Sequence, residues 1–145
     1  MSEKIKFAVV GCGHIGKRHA EMISRNEECE LVGLIDVKDK SLLGIENYDV
    51  PFFPSLDGFL ASGIEVDVIN IASPNGFHFE QSYKVIDAGK HVVVEKPMAL
   101  KKQHAEKLIF QALHKHKQVF AVMQNRYSPP SAWVKEMVES GKLGN

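Results

Sequence analysis

The stretch IKFAVVGCGHIG, Ile5–Gly16, decides the fold. A β-rich run, apolar from Phe7 to Val10, meets three glycines at the spacing G-x-G-x-x-G: Gly11, Gly13 and Gly16. Downstream, Ile15, His19, Met22 and Ile23 recur at helical offsets, which predicts an amphipathic helix with those residues as its inward face. Glycine in this context serves a tight strand-to-helix turn, a bare backbone where a pyrophosphate can approach, and close packing of helix on strand. The phosphates then face the positive end of the helix. Asp36 closes the next β-rich run twenty residues after Gly16, where a carboxylate can accept hydrogen bonds from a ribose diol. A dinucleotide site follows from the combination. Asp36 would repel a 2′-phosphate, so NAD is preferred to NADP, with Lys38 and Lys40 the residues that keep NADP open; flavin and S-adenosylmethionine are further alternatives.

Outward from this unit, strands and helices alternate. ELVGLID, VPFF, VDVINIAS, HVVVE and QVFAVMQ read as strands two to six. Between them, SLDGFLAS begins a small helix with Ser55 as N-cap. Phe79, Tyr83 and Ile86 form a helical face ending at Gly89, a good residue for the position after a C-cap. Ala105, Leu108, Ile109, Ala112 and Leu113 form another stripe. Ser73 followed by Pro74 reads as an N-cap and first helical position, with contact to a cofactor as the alternative. The predicted fold class is α/β, a doubly wound parallel sheet of six strands in the order 3-2-1-4-5-6, whose carboxyl edge is the place for ligands. Residues 1–126 are read as the dinucleotide-binding domain and 127–145 as a linker and helix. In that helix Trp133, Val134, Met137 and Val138 make an apolar face that needs the sheet or a partner chain to pack on, so a homo-oligomer is among the expectations.

Composition narrows the class. The chain has 145 residues, the size of one domain, and its 18 basic and 18 acidic side chains balance, which argues against a polycation for nucleic acid. Cys12 and Cys29 lack the spacing of a disulfide framework or a zinc site, and Cys12 between glycines reads as a packing residue. His104, His114 and His116 read as solvated surface, so no metal site is expected. No apolar run reaches the length of a membrane span or a signal peptide core, and a cytoplasmic protein is expected.

HVVVEKPMAL, His91–Leu100, carries the chemistry: a buried strand that ends on Glu95, Lys96 and Pro97. Lys96 emerges at the same edge as the glycine turn, where a lysine can hydrogen-bond a substrate hydroxyl or take its proton while hydride moves to a nicotinamide. Burial and the cationic ring would favour the neutral amine, and Glu95 the ammonium.

Together, VVGCGHIGKRH, IDV, NIASPNGFH, HVVVEKPMA and MQNRY resemble the nucleotide-binding half of the Gfo/Idh/MocA oxidoreductases, the glucose-fructose oxidoreductase and inositol dehydrogenase superfamily. The resemblance spans essentially all of the chain, and Glu95-Lys96-Pro97 is its most specific element. It implies a Rossmann fold and an NAD(P)-dependent dehydrogenase with Lys96 as the catalytic lysine. By the same resemblance Gly11, Gly13, His14, Ile15, Gly16, Asp36, Ser73, Asn75, His78, Glu95, Lys96 and Asn125 line the cofactor. It also implies a cis Lys96–Pro97 peptide. The segment from Met123 onward is similar to the branch that oxidises the 3-hydroxyl of UDP-N-acetylglucosaminuronic acid for surface polysaccharides such as lipopolysaccharide. That similarity implies Lys96, Gln124, Asn125 and Arg126 as residues facing a sugar or nucleotide-sugar substrate. A polyol or inositol dehydrogenase and a non-catalytic dinucleotide-binding regulatory module are the alternatives. The family continues into a second, substrate-binding domain that supplies further catalytic groups. A chain ending at Asn145 is therefore expected to be a fragment or a curtailed product, able to bind cofactor but poor at catalysis alone.

Overall fold

A computed structural model describes residues 3–142 and 144. Leu143 and Asn145, the end of the predicted terminal segment, lie outside the described residues. The strands are β1 (Ile5–Val10), β2 (Cys29–Ile35), β3 (Phe52–Phe53), β4 (Val68–Ile71), β5 (His91–Val94) and β6 (Val119–Ala121). All pair in parallel, in the order β3-β2-β1-β4-β5-β6, as the alternation of periods predicts. The helices are α1 (His14–Arg25), α2 (Leu56–Ala61), α3 (His78–Asp87), α4 (Lys102–His114) and α5 (Pro129–Glu139).

Alternation along the strands divides the core. Ala8, Val10, Ile69, Ile71, Val92 and Val94 point to the face covered by α2, α3 and α4, while Val9 and Leu34 point to the face covered by α1. Gly33 in β2 is required by packing: a Cβ there would stand 2.6 Å from the ring of Phe59, which lies on the strand and meets Phe53 edge to face. Two caps are as predicted. Ser55 Oγ accepts from Gly58 N–H at 3.1 Å. Gly89, at φ +77°, closes α3 with bonds from its own N–H to Ile86 and from Lys90 N–H to Val85.

Three expectations are corrected and one, for α3, is extended. In α1 the inward line is Gly16, Ala20 and Ile23, and Ile15 and Met22 stand 41% and 45% exposed. The cause is Gly16: a Cβ there would fall 1.7 Å from the Gly11 carbonyl oxygen, so the line through Gly16 is the line of closest approach, and the larger side chains turn aside. In α3 the predicted face holds, with Ile86 buried and Phe79 and Tyr83 partly buried against the core, and His78, Ser82 and Val85 are buried beside it. In α4 only Leu108 and Ala112 are buried; Ile109 and Leu113 face outward because the sheet ends at the short β6 and gives the helix one line to cover. Ser73 is not an N-cap: Pro74 precedes a 3₁₀ turn, Asn75–Phe77, and Ser73 Oγ donates to the Gln81 amide oxygen.

Helix α5 starts from Ser128, whose Oγ accepts from Ser131 N–H, with prolines in its first turn. It does not fold back on the sheet. None of its residues is buried, and Trp133 is 59% exposed. No described helix is long and apolar enough to cross a membrane.

The Gly16 contact yields a direct expectation. Gly16→Ala should destabilise the fold by about 3 kcal/mol or more, since the obstructing atom is backbone and cannot rotate away. Urea denaturation of the two proteins measures it.

Candidate functional site

Because every strand is parallel, the carboxyl ends gather on one edge, and chain order reverses between β1 and β4. The turns after these two strands abut at that point. Gly11 has φ +87°, and a Cβ there would lie 2.6 Å from Ser73 N and 2.7 Å from the Ala72 carbonyl. Gly13, the residue that leads into α1, caps nothing with a side chain, no acid sits in the first turn, and a Cβ on Gly13 would meet nothing within 4 Å. The helix therefore offers uncapped N–H groups beneath open space. That is what an approaching pyrophosphate needs.

Two cavities flank the glycine turn. The first, ≈ 190 Å³, holds Asp36 at its rim and has apolar walls from Val37, Pro54, Leu56, Pro74 and Phe77. Asp36 is pinned: Oδ2 accepts from Cys12 N–H at 2.7 Å and Oδ1 from Lys38 N–H at 2.9 Å. A carboxylate has about four lone-pair positions, so this one keeps acceptor capacity for a ribose diol while repelling a 2′-phosphate. Apolar walls of this kind suit the face of a heterocycle such as adenine. Ser73 belongs to the same lining. Val37, Pro54, Leu56 and Phe77 are not among the site residues expected from the sequence; the available signal was an apolar residue directly after a strand end, as Val37 follows Asp36.

The second cavity, ≈ 630 Å³, lies on the α1 side and is lined by His14, Ile15, Arg18, Met22, Val93, Glu95 and Gln124 among others. The rotation imposed by Gly16 turns Ile15 and Met22 into this space. Lys96 directly follows Glu95 and is exposed; its backbone N–H donates to Glu95 Oε2 at 3.3 Å, and among the described residues its Nζ has no hydrogen bond or ion pair. The Lys96–Pro97 peptide is cis, as the resemblance implies. His78, read from the sequence as a cofactor contact, lies beneath the edge instead. It is 1% exposed, with Nδ1 2.7 Å from the Pro97 carbonyl oxygen and Nε2 2.7 Å from that of Ser73, so it ties the end of β4 to the turn that carries Lys96. Asn75 lines neither cavity. Asn125 and Arg126 sit in the 3₁₀ turn Gln124–Tyr127 and line a third depression of ≈ 610 Å³ with Tyr127, Ser131 and Lys135. Among the described residues no three metal-ligating side chains converge.

Cys12 is structural. It is buried behind Asp36, with its thiol 3.6 Å from the Ile35 carbonyl oxygen, and burial, reinforced by the Asp36 charge, pushes it up to about 12.

A parallel sheet with a glycine turn at its switch point, an acid after β2 and an open helix N-terminus defines a dinucleotide-binding domain. Comparison with known proteins gives the family: residues 5–123 match the GFO_IDH_MocA model, described as an oxidoreductase family with an NAD-binding Rossmann fold, and the chain belongs to it. Among solved structures it is similar to the WlbA dehydrogenase from Bordetella pertussis, crystallised with NADH and UDP-GlcNAcA. The TM-score is 0.90 and the identity 33%, over 98% of this chain and 44% of that one. Among curated relatives, the UDP-N-acetylglucosamine 3-dehydrogenase of Acidithiobacillus ferrooxidans is 31% identical over 77% of this chain and 34% of its own length. The D-glucoside 3-dehydrogenase of Escherichia coli is 26% identical over 99% of this chain and 41% of its own length. The chain thus spans less than half the length of these relatives.

Two outcomes are expected from the geometry. Gly13→Ala, with open space above it, should change stability by no more than about 0.5 kcal/mol yet weaken NAD binding on the order of tenfold by closing the backbone approach; denaturation and calorimetry separate the two effects. Thiol labelling near pH 8 should modify the partly exposed Cys29 and spare Cys12 until the chain unfolds, as mass spectrometry of labelled peptides would read.

Proposed function

We propose that this domain serves an NAD-dependent dehydrogenase that oxidises a hydroxyl of a sugar or nucleotide sugar, and that the substrate is a UDP-sugar uronate oxidised at its 3-hydroxyl for surface polysaccharide synthesis in the cytoplasm. One observation carries the reading: exposed Lys96 directly follows Glu95, which lines the larger cavity, at the same sheet edge as the open Gly13 turn and Asp36. NAD, when bound, accepts the hydride.

The chain's own residues divide the remaining work. Asp36 takes the adenosine ribose, and the uncapped start of α1 takes the pyrophosphate. Ile15 gives the nicotinamide an apolar wall that keeps water from the ring. Lys96 Nζ, with no protein partner among the described residues, receives the proton that leaves the hydroxyl as its C–H bond breaks. Arg126, an exposed planar donor, meets the carboxylate or phosphate of an acidic nucleotide sugar, with Gln124 and Asn125 beside it. Similarity to part of a dehydrogenase crystallised with NADH and UDP-GlcNAcA, and to part of a UDP-N-acetylglucosamine 3-dehydrogenase, supports this substrate class. A second domain completing the sugar pocket is part of the proposal, supported by the greater length of those relatives.

In a polypeptide that joins this domain to its substrate domain, Lys96→Met should leave NAD affinity within about twofold and lower sugar-dependent NADH formation by about 10²-fold or more. Unchanged turnover in the variant would remove Lys96 from the chemistry. A folded chain that fails to bind NAD in a calorimeter would remove the cofactor reading itself.

A further inference from the structure

A polar chain runs from the sheet interior to the wall of the second cavity. Asn70, in the central strand β4, is 6% exposed, and its Nδ2 lies 2.9 Å from His19 Nδ1. His19 Nε2 lies 3.0 Å from Glu95 Oε1; the two side chains are 15% and 13% exposed. Donor counting orients the chain. With the amide nitrogen toward His19, Nδ1 accepts, Nε2–H donates to the carboxylate, and one buried atom, Asn70 Oδ1, is left without a partner. The reversed amide would need Nδ1–H to donate to Oδ1, which in the neutral ring turns a bare Nε2 lone pair toward the Glu95 carboxylate, a repulsive contact. Every bond in the chain therefore points from the core toward Glu95.

We propose that His19, oriented by Asn70, is a positioning residue that holds Glu95 as a fixed negative wall of the ≈ 630 Å³ cavity, and that this fixed charge makes the site favour the oxidised over the reduced dinucleotide. The inference rests on the cavity's being the nicotinamide end. The oxidised ring is cationic and the reduced ring neutral, so a carboxylate beside it discriminates between them by charge alone. A carboxylate free to swing into water would be screened, whereas one tethered and mostly covered keeps its field across the cavity. Arg18 lines the same cavity with the opposite sign, but it is exposed and has no tether of this kind among the described residues, so solvent screens it more strongly. The tether depends on rigid parts: Asn70 on β4, Glu95 directly after β5, and His19 on a helix that Gly16 seats against the sheet.

The test titrates this chain with NAD, NADH and ADP, as wild type and as His19→Leu, His19→Gln and Glu95→Gln, with thermal denaturation as the folding control. The ratio Kd(NADH)/Kd(NAD) should fall on the order of fivefold to tenfold in Glu95→Gln and His19→Leu. His19→Gln, whose amide can donate to Glu95, should keep most of the wild-type ratio. ADP, which reports only the Asp36 end, should bind all four alike. Nitrogen-15 NMR of the neutral wild-type ring should place the His19 proton on Nε2. A ratio unchanged in Glu95→Gln, a near-isosteric replacement at the cavity wall that does not depend on His19 folding, would overturn the proposal, as would a proton on Nδ1. A folded wild type that binds neither dinucleotide would instead overturn the cofactor reading on which the proposal stands.

Discussion

The contact on which the rest depends is that between Gly16 and the Gly11 carbonyl. No side chain fits there, so α1 comes down onto the turn after β1 as closely as backbone atoms allow. That approach fixes the rotation of the helix, which buries Ala20 and Ile23, aims Ile15 and Met22 into the larger cavity, and brings His19 within reach of Asn70 and Glu95. It also sets the helix N-terminus over the switch point of the sheet, where its free N–H groups face an anion.

Around this contact the polar groups of the carboxyl edge are tied to one another. Cys12 N–H and Lys38 N–H hold Asp36 in place, His78 joins the β4 end to the Lys96–Pro97 turn, and Asn70 and His19 brace Glu95. The Cys12, His78 and Asn70–His19–Glu95 ties each connect different strands, the last through α1, so positioning one group constrains the next. Lys96 and Gly13 stand apart from these ties, with an Nζ that has no partner among the described residues and an open approach. Rigid support beneath a few unsatisfied groups suits a site that must bind and orient a flexible dinucleotide.

Much of the fold was legible because it rests on local signals. The Val-rich runs, the glycine spacing, the Ser55 cap and the Gly89 terminus each act through a few neighbouring residues. Helix faces were less legible. Hydropathy places Ile15, Met22, Ile109 and Leu113 inside, but the inward line of α1 follows the smallest residue, and that of α4 follows where the sheet stops. His78 was legible as a residue of the edge but not as a buried brace, because its partners are two carbonyl oxygens that a sequence does not display.

By itself the sequence determined the strand order, the glycine turn, the acid after β2 and the Glu-Lys-Pro corner, since periodicity, backbone freedom and charge belong to residue types and their spacing. Only the tertiary structure decided which groups meet: the cavity at Asp36 and the one along α1, the apolar walls offered by Val37 and Phe77, and the chain from Asn70 through His19 to Glu95. Asn70 and Glu95 are 25 residues apart, and His19 lies 51 and 76 residues from them. The closeness of these side chains is set by parallel strand pairing and by the seating of one helix, and neither is encoded near any of the three.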